Sequence, residues 1–270
     1  MAGALAAGRA AWLGGLVVAH RGLHDAGGRV ENSPAAFAAA IAAGLAIECD
    51  VQESADGAAM VFHDDTLDRL TGETGPLIAR PAAWLAGVRL ANGEPIWPLA
   101  RLLGLVAGQV PLLVEIKTNL ACSVTGAETR PVDRPVARLC AAVAAALAGY
   151  RGCVAVMSFD ARVGRWFAAH APQVVRGLVL DGADLHGPRA ALLAQRALRP
   201  GRQDFLAVDR AGLPSPWVAA WRAAGLPIAC WTLRSARQWA QAAPFIDAAI
   251  IEGGAARALR GAMPLRGAQA

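Results

Sequence analysis

Glu48 and Asp50 stand two apart, Glu115 and Lys117 stand two apart, and His20 and His63 each close an apolar run. Side chains two apart on a strand share a face, so Glu48 and Asp50 would project together while Cys49 points the other way. Glu115 and Lys117 would pair likewise. Facing carboxylates in a confined interior do not both stay ionised without a counter-charge, and a third from an adjacent strand end points to one divalent cation. Oxygen donors favour Mg2+ or Ca2+ over zinc, because no cysteine or histidine pair has ligand spacing. His20 and His63 supply an acid–base pair, since free imidazole titrates near ~6.5. A lone Glu-x-Asp or strand-end histidine is more often solvated or structurally satisfied. Here such groups recur at successive strand ends, and residues 48–68 hold seven acids and no lysine or arginine. His24, His170 and His186 lack that context and read as structural or surface groups.

These groups need strands to carry them. Nine short apolar runs qualify: Leu16–Ala19, Leu45–Asp50, Ala58–Phe62, Leu112–Ile116, Val154–Met157, Val174–Leu180, Phe205–Val208, Pro227–Trp231 and Ala248–Ile251. Most are followed by a polar cluster and an alanine-rich stretch, the alternation of a parallel sheet buried on both faces. Ser33 is placed to cap a helix over Pro34–Ala43 with Gly44 as its stop, and Arg134–Leu147 and Ala161–His170 follow the same logic. The interval from Asp50 to Ala58 is too short for a parallel crossover and contains the Asp56-Gly57 hairpin signal, so Ala58–Phe62 is expected to run antiparallel. A Gly- and Pro-rich excursion lasts to about Pro98. Setting it aside leaves eight strands. The expectation is an α/β fold, a (β/α)8 barrel forming a single catalytic domain over residues 1–270, with an insertion at about 51–99 after the second strand.

Composition narrows the classes. The chain has 270 residues, 55% hydrophobic and 17% charged, which excludes disorder and a disulfide-stapled miniprotein. Its formal charge is +5, yet residues 1–150 hold 11 basic and 14 acidic groups, and residues 151–270 hold 15 and 7. The arginines of the second half are scattered and read as solvated barrel exterior, so no nucleic-acid partner is expected. Five cysteines with no C-x-x-C pair suit a reducing, cytoplasmic setting with buried thiols. The apolar stretch Ala10–Ala19 is too short to span a bilayer and reads as part of the fold rather than a leader. Neither end carries a lipidation signal, and no stable membrane anchor is expected.

The residues also fit a family pattern. His20-Arg21-Gly22, Glu31-Asn32-Ser33 with Phe37, Glu48-x-Asp50-Val51, Asp56-Gly57, Val61-Phe62-His63-Asp64, Leu67-x-Arg69-x-Thr71-Gly72 and Glu115-Ile116-Lys117 closely resemble the glycerophosphodiester phosphodiesterases. The resemblance continues more weakly through Ser158-Phe159 and Trp231-Thr232. It implies a barrel enzyme that hydrolyses glycerophosphodiesters, deacylated phospholipids, to glycerol phosphate and an alcohol. It further implies that Glu48, Asp50 and Glu115 hold the metal, that His20 and His63 are general acid and base, and that Arg21 and Lys117 bind phosphoryl oxygens. Trp231 would wall the glycerol pocket. The chain departs from the pattern at Arg234, which would add a positive group near the mouth, and at Glu252, which lengthens an acid. The segment Thr118–Pro135 is a candidate cover for the site. A related barrel lyase with a cyclic phosphate product is the competing enzyme reading. A silent scaffold is disfavoured by the intact acids and histidines.

Overall fold

The computed structural model describes residues 8–25, 27–118, 134–187 and 203–253. The described residues form nine strands: β1 (Val17–Ala19), β2 (Ala46–Glu53), β3 (Ala59–Val61), β4 (Leu112–Ile116), β5 (Val154–Ser158), β6 (Val175–Leu180), β7 (Phe205–Asp209), β8 (Ile228–Leu233) and β9 (Ala248–Ile251). The sheet order is β1-β9-β8-β7-β6-β5-β4-β2-β3, and β1 also pairs with β2, which closes eight strands into a parallel barrel. The ninth, β3, pairs antiparallel with β2, with Val51 opposite Val61 and Glu53 opposite Ala59. Its turn is the expected one: Gly57 has a φ of 86° and its N–H donates to the Ser54 carbonyl. Of the proposed cover segment, residues 119–133 lie outside the described residues, as does Cys122.

The chain falls into two compact units, one of Ala19–Ala121 with Pro131–Val156, the other of Met1–Val18, Cys122–Arg130 and Met157–Ala270. In the first, β2 is buried along all eight residues and lies parallel to β4, with Glu48 opposite Leu113 and Asp50 opposite Glu115. Helix α1 (Pro34–Ala42) starts at Ser33, whose Oγ accepts from the Ala36 N–H, and proline at its first position needs no donor. The segment from β3 to Ile96 carries α2 (Ala82–Leu85) and a buried apolar cluster, Met60, Phe62, Leu67, Leu70, Leu77, Leu85, Val88, Leu90 and Ile96. Helices α3 (Leu99–Val106) and α4 (Arg134–Leu147) complete this unit; α4 buries Val136, Leu139, Cys140, Val143 and Leu147, one stripe at helical spacing.

In the second unit, β6 to β9 alternate with α5 (Ala161–His170), α6 (Pro216–Ala223) and α7 (Ala236–Ala242). Asp160 caps α5 and Ser235 caps α7 through their side chains. Among the described residues, the reading of the second half's arginines as exterior fails at two positions. Arg162 is fully buried, forking onto Asp160 at 2.6 to 3.0 Å, and Arg176 is buried beside Asp204. A planar guanidinium over its own carboxylate can leave water, so a basic residue does not by itself mark a surface. The expectation of buried thiols also needs correction, because Cys153 is exposed whereas Cys49, Cys140 and Cys230 are buried; all four are free. The Ala10–Ala19 stretch is built into the fold as a short 3-10 turn at Ala11–Leu13 followed by β1.

Candidate active site

Seven of the eight expected site residues lie in the first unit: His20 and Arg21 just past β1, Glu48 and Asp50 inside β2, which runs on to Glu53 beyond the expected end at Asp50, Glu115 and Lys117 at and just past the end of β4, and His63 shortly after β3. Just beyond β1, His20 is followed by Arg21, whose φ of 54° is the left-handed conformation that a bulky residue adopts at a cost of about 1–2 kcal/mol. The turn is held by its neighbours: the Arg21 N–H donates to Glu48 Oε2 at 2.9 Å, and the Gly22 N–H donates to the carbonyls of Ala19 and Glu48. A Cβ at Gly22 would sit 2.9 Å from Ala36, which is why glycine follows Arg21 where α1 packs closest.

Glu48, Asp50 and Glu115 are buried, and oxygens from all three lie within 4.8 Å of one another. Lys117 Nζ stands 2.6 Å from Glu115 Oε1 and 3.1 Å from Asp50 Oδ1, while Arg21 Nε is 3.4 Å from Asp50 Oδ2. Burial pushes the Asp50 carboxyl up, but Lys117 and then Arg21 outweigh it and hold the group below its ordinary range. Glu48 goes the other way: burial first, then the charges of Asp50 and Glu115, drive it well above the ordinary range. The Lys117 ammonium is desolvated, yet Glu115 and Asp50 raise its pKa overall. Glu48 Oε1 is buried with no hydrogen-bond partner among the described residues, and His20 Nε2 is 3.9 Å from Oε2 of the same carboxylate. Three hard oxygen donors, one of them unsatisfied and destabilised by its neighbours' charge, fit an oxygen-preferring divalent cation.

His63 lies 2.6 Å through Nδ1 from Asp64 Oδ1. Gln52, two residues past Asp50 on the same face of β2, is buried and donates to the carbonyls of His63, at 2.7 Å, and Asp64. Asn32, with a φ of 55°, donates through Nδ2 to Asp50 Oδ2 at 2.9 Å. Glu31 accepts from Arg21 Nη1 at 2.6 Å and from Arg69. Glu31, Asn32, Gln52, Asp64 and Arg69 therefore surround the expected site residues, although side-chain chemistry alone singled out none of them. Glu31, Asn32, Asp64 and Arg69 stand within the motifs that carry the family resemblance, which gave them no role, and Gln52 continues the period-two face of Glu48 and Asp50.

Trp231 belongs to the second unit, where its Nε1 donates to the Ala207 carbonyl at 3.2 Å and its ring meets Phe159 edge to face at 5.5 Å. The two departures from the family pattern meet there also: Arg234 Nη2 is 2.7 Å from Glu252 Oε2, so the added positive group is paired with the lengthened acid. His170 is exposed and stacks on Trp166, and His186 is exposed, as expected for surface groups.

A parallel barrel with acids, imidazoles and basic groups near its strand ends belongs to the class of barrel enzymes whose polar groups gather at that edge. A model of the glycerophosphoryl diester phosphodiesterase family matches residues 20–251, and the chain belongs to that family. The match begins at His20 and includes every expected site residue. A glycerophosphodiester phosphodiesterase of Caldanaerobacter subterraneus subsp. tengcongensis is 48% identical over 61 residues, 22% of this chain and 24% of that protein's length. Among solved structures, a phosphodiesterase of Oleispira antarctica in complex with the product sn-glycerol-3-phosphate aligns with a TM-score of 0.74 at 22% identity, covering 90% of this chain and 94% of that one. The glycerophosphodiester phosphodiesterase of Thermotoga maritima aligns at 0.69 and 23% identity, covering 87% and 93%. At such identities the likeness shows the fold.

Proposed function

We propose that this chain, acting as one catalytic domain with an insertion at about residues 51–99, hydrolyses small glycerophosphodiesters to glycerol 3-phosphate and an alcohol. Glu48, Asp50 and Glu115 would hold one divalent cation, Mg2+ or Ca2+, which when bound supplies positive charge against the phosphoryl oxygens. The buried three-carboxylate cluster with its unsatisfied Glu48 oxygen is the observation that carries this reading.

The chain's own groups divide the remaining work. Arg21 and Lys117 bind the anionic phosphoryl group and stabilise the charge that grows on it in the transition state, at an edge where their positions are already set by carboxylates. His20 and His63 divide the two proton transfers, one taking a proton from the attacking oxygen and the other giving one to the leaving alkoxide. Trp231 is assigned to the glycerol moiety on the family resemblance. The free thiols among the described residues suit a reducing, cytoplasmic location, and none of the described helices is long and apolar enough to cross a membrane.

Turnover of glycerophosphocholine, measured with and without EDTA and in His20→Ala, tests the reading. Loss of activity in EDTA and a fall of about 10²–10⁴-fold in the variant are expected. Metal-independent turnover, or full activity in His20→Ala, would overturn it. Phosphorus NMR of the same reaction distinguishes a monoester product from the cyclic phosphate of the competing lyase reading.

A further inference from the structure

We propose that Arg69 is a positioning residue that sets His63 and Arg21 together by clamping Asp64 and Glu31; this rests on the roles given to His63 and Arg21 above. The guanidinium lies between two carboxylates and uses all three of its nitrogens. Nε donates to Asp64 Oδ2 at 2.6 Å and Nη2 to Asp64 Oδ1 at 2.8 Å. Nη1 donates to Glu31 Oε2 at 2.9 Å and Nη2 to Glu31 Oε1 at 2.7 Å. Each carboxylate then reaches one working group: Asp64 Oδ1 to His63 Nδ1 at 2.6 Å, Glu31 Oε1 to Arg21 Nη1 at 2.6 Å.

The chemistry explains why one guanidinium is placed there. A carboxylate on Nδ1 keeps that nitrogen protonated and leaves Nε2 as the one that exchanges a proton with substrate. A carboxylate on Arg21 fixes the plane of its fork, and that plane decides whether two phosphoryl oxygens are met at once. Glu31 and Asp64 carry like charges, and without a cation between them they would repel and swing apart. Arg69 fits both because its donors lie in one plane, which an ammonium cannot imitate.

The loop that delivers it is anchored. Leu67 and Leu70 are buried in the core of the insertion, and Thr71 turns back to the Leu67 carbonyl through both its N–H and its hydroxyl. Arg69 itself is 49% exposed, and exposed ion pairs add little to stability. Its removal should therefore show in the geometry of catalysis more than in the melting point. The insertion, on this view, exists in part to present Arg69.

The test is steady-state kinetics of Arg69→Ala, Arg69→Lys, Asp64→Asn and Glu31→Gln beside His63→Ala. Arg69→Ala should lose about 10²-fold in kcat/KM, in line with the effect of small misplacements, with little change in thermal midpoint. Millimolar guanidinium should restore part of the loss, and Arg69→Lys should not. The two arms should separate: Asp64→Asn lowers kcat, Glu31→Gln raises KM, and neither adds much on top of Arg69→Ala. Wild-type kinetics in a folded Arg69→Ala, with His63→Ala inactive, would overturn the clamp and leave the functional reading standing. Full activity in His63→Ala would overturn both. Should Arg69→Ala fail to fold, the Asp64→Asn and Glu31→Gln variants decide: an absence of the kcat and KM split overturns the proposal.

Discussion

Burying three carboxylates in one place costs several kcal/mol, and Lys117 and Arg21 offset that cost unequally. Both cations reach Asp50, and Lys117 also reaches Glu115, whereas Glu48 accepts from the Arg21 N–H at 2.9 Å and stands 3.9 Å from the His20 imidazole. The Lys117 ammonium bridges two acids as a compact charge, a geometry that a longer planar fork does not reproduce. Lys117→Arg should therefore lower kcat/KM by at least about 10-fold on glycerophosphocholine, and unchanged turnover would remove the lysine from the phosphoryl-binding role. Asp64 gives a pH-dependent term. Hydrogen bonds from Arg69, against burial and with help from His63, hold its carboxyl down from 3.8 to about 2. The folded state thus binds fewer protons than the unfolded one, so the stabilisation is complete above about pH 4 and is lost as pH falls towards 2. After solvent screening it amounts to about 1 kcal/mol. Melting curves between pH 5 and 2 should show a shallower acid decline for Asp64→Asn than for the parent. At this scale the residue types announced the acids, the imidazoles and the lysine. They did not announce Glu31, Asn32, Gln52, Asp64 or Arg69, because an acid beside an arginine reads the same in sequence whether it orients a neighbour or is solvated.

Turns and hairpins determine how these groups are aimed. The left-handed Arg21, the left-handed Asn32 and the cap at Ser33 form one compact connection from β1 into α1, closed by the Asn32 N–H to the Arg21 carbonyl at 2.9 Å. Gly22 is its tightest point, with a φ of 79° and no room for a Cβ against Ala36. Gly22→Ala should cost about 2–4 kcal/mol, combining backbone strain with overpacking, and should reduce activity further by displacing Arg21. Thermal melts and kinetics of that variant check it, and a stable, fully active protein would show that the turn relaxes without consequence. The antiparallel β3 and the Gly57 turn were legible from spacing, because a short interval cannot make a parallel crossover. The left-handed φ of Arg21 was not, since bulky residues seldom adopt it and only the surrounding hydrogen bonds hold it there.

A metal site built from these acids would be a property of the folded molecule, because Glu115 on β4 lies 65 positions beyond Asp50 on β2. Divalent cation at about 100 times its Kd should stabilise the protein by about 2.7 kcal/mol, a rise of roughly 5 °C in Tm. EDTA should abolish that rise. Glu48→Gln should lose it as well, while melting no lower than the parent in EDTA, since the substitution relieves the crowding of like charge at Glu48. A cation-induced rise that survives in Glu48→Gln would move the metal elsewhere. The sequence by itself determined the alternation of strands and helices, the antiparallel strand after the Gly57 turn, and the order of acids and histidines along the first strands, because hydrophobic period and turn chemistry are local. Only the tertiary structure decided which charges meet. It turned two of the second half's arginines inward onto Asp160 and Asp204, paired Arg234 with Glu252, and brought Arg69 between Glu31 and Asp64. The physical reason is range: periodicity is written over a few neighbouring residues, whereas an ion pair depends on where distant segments come to rest.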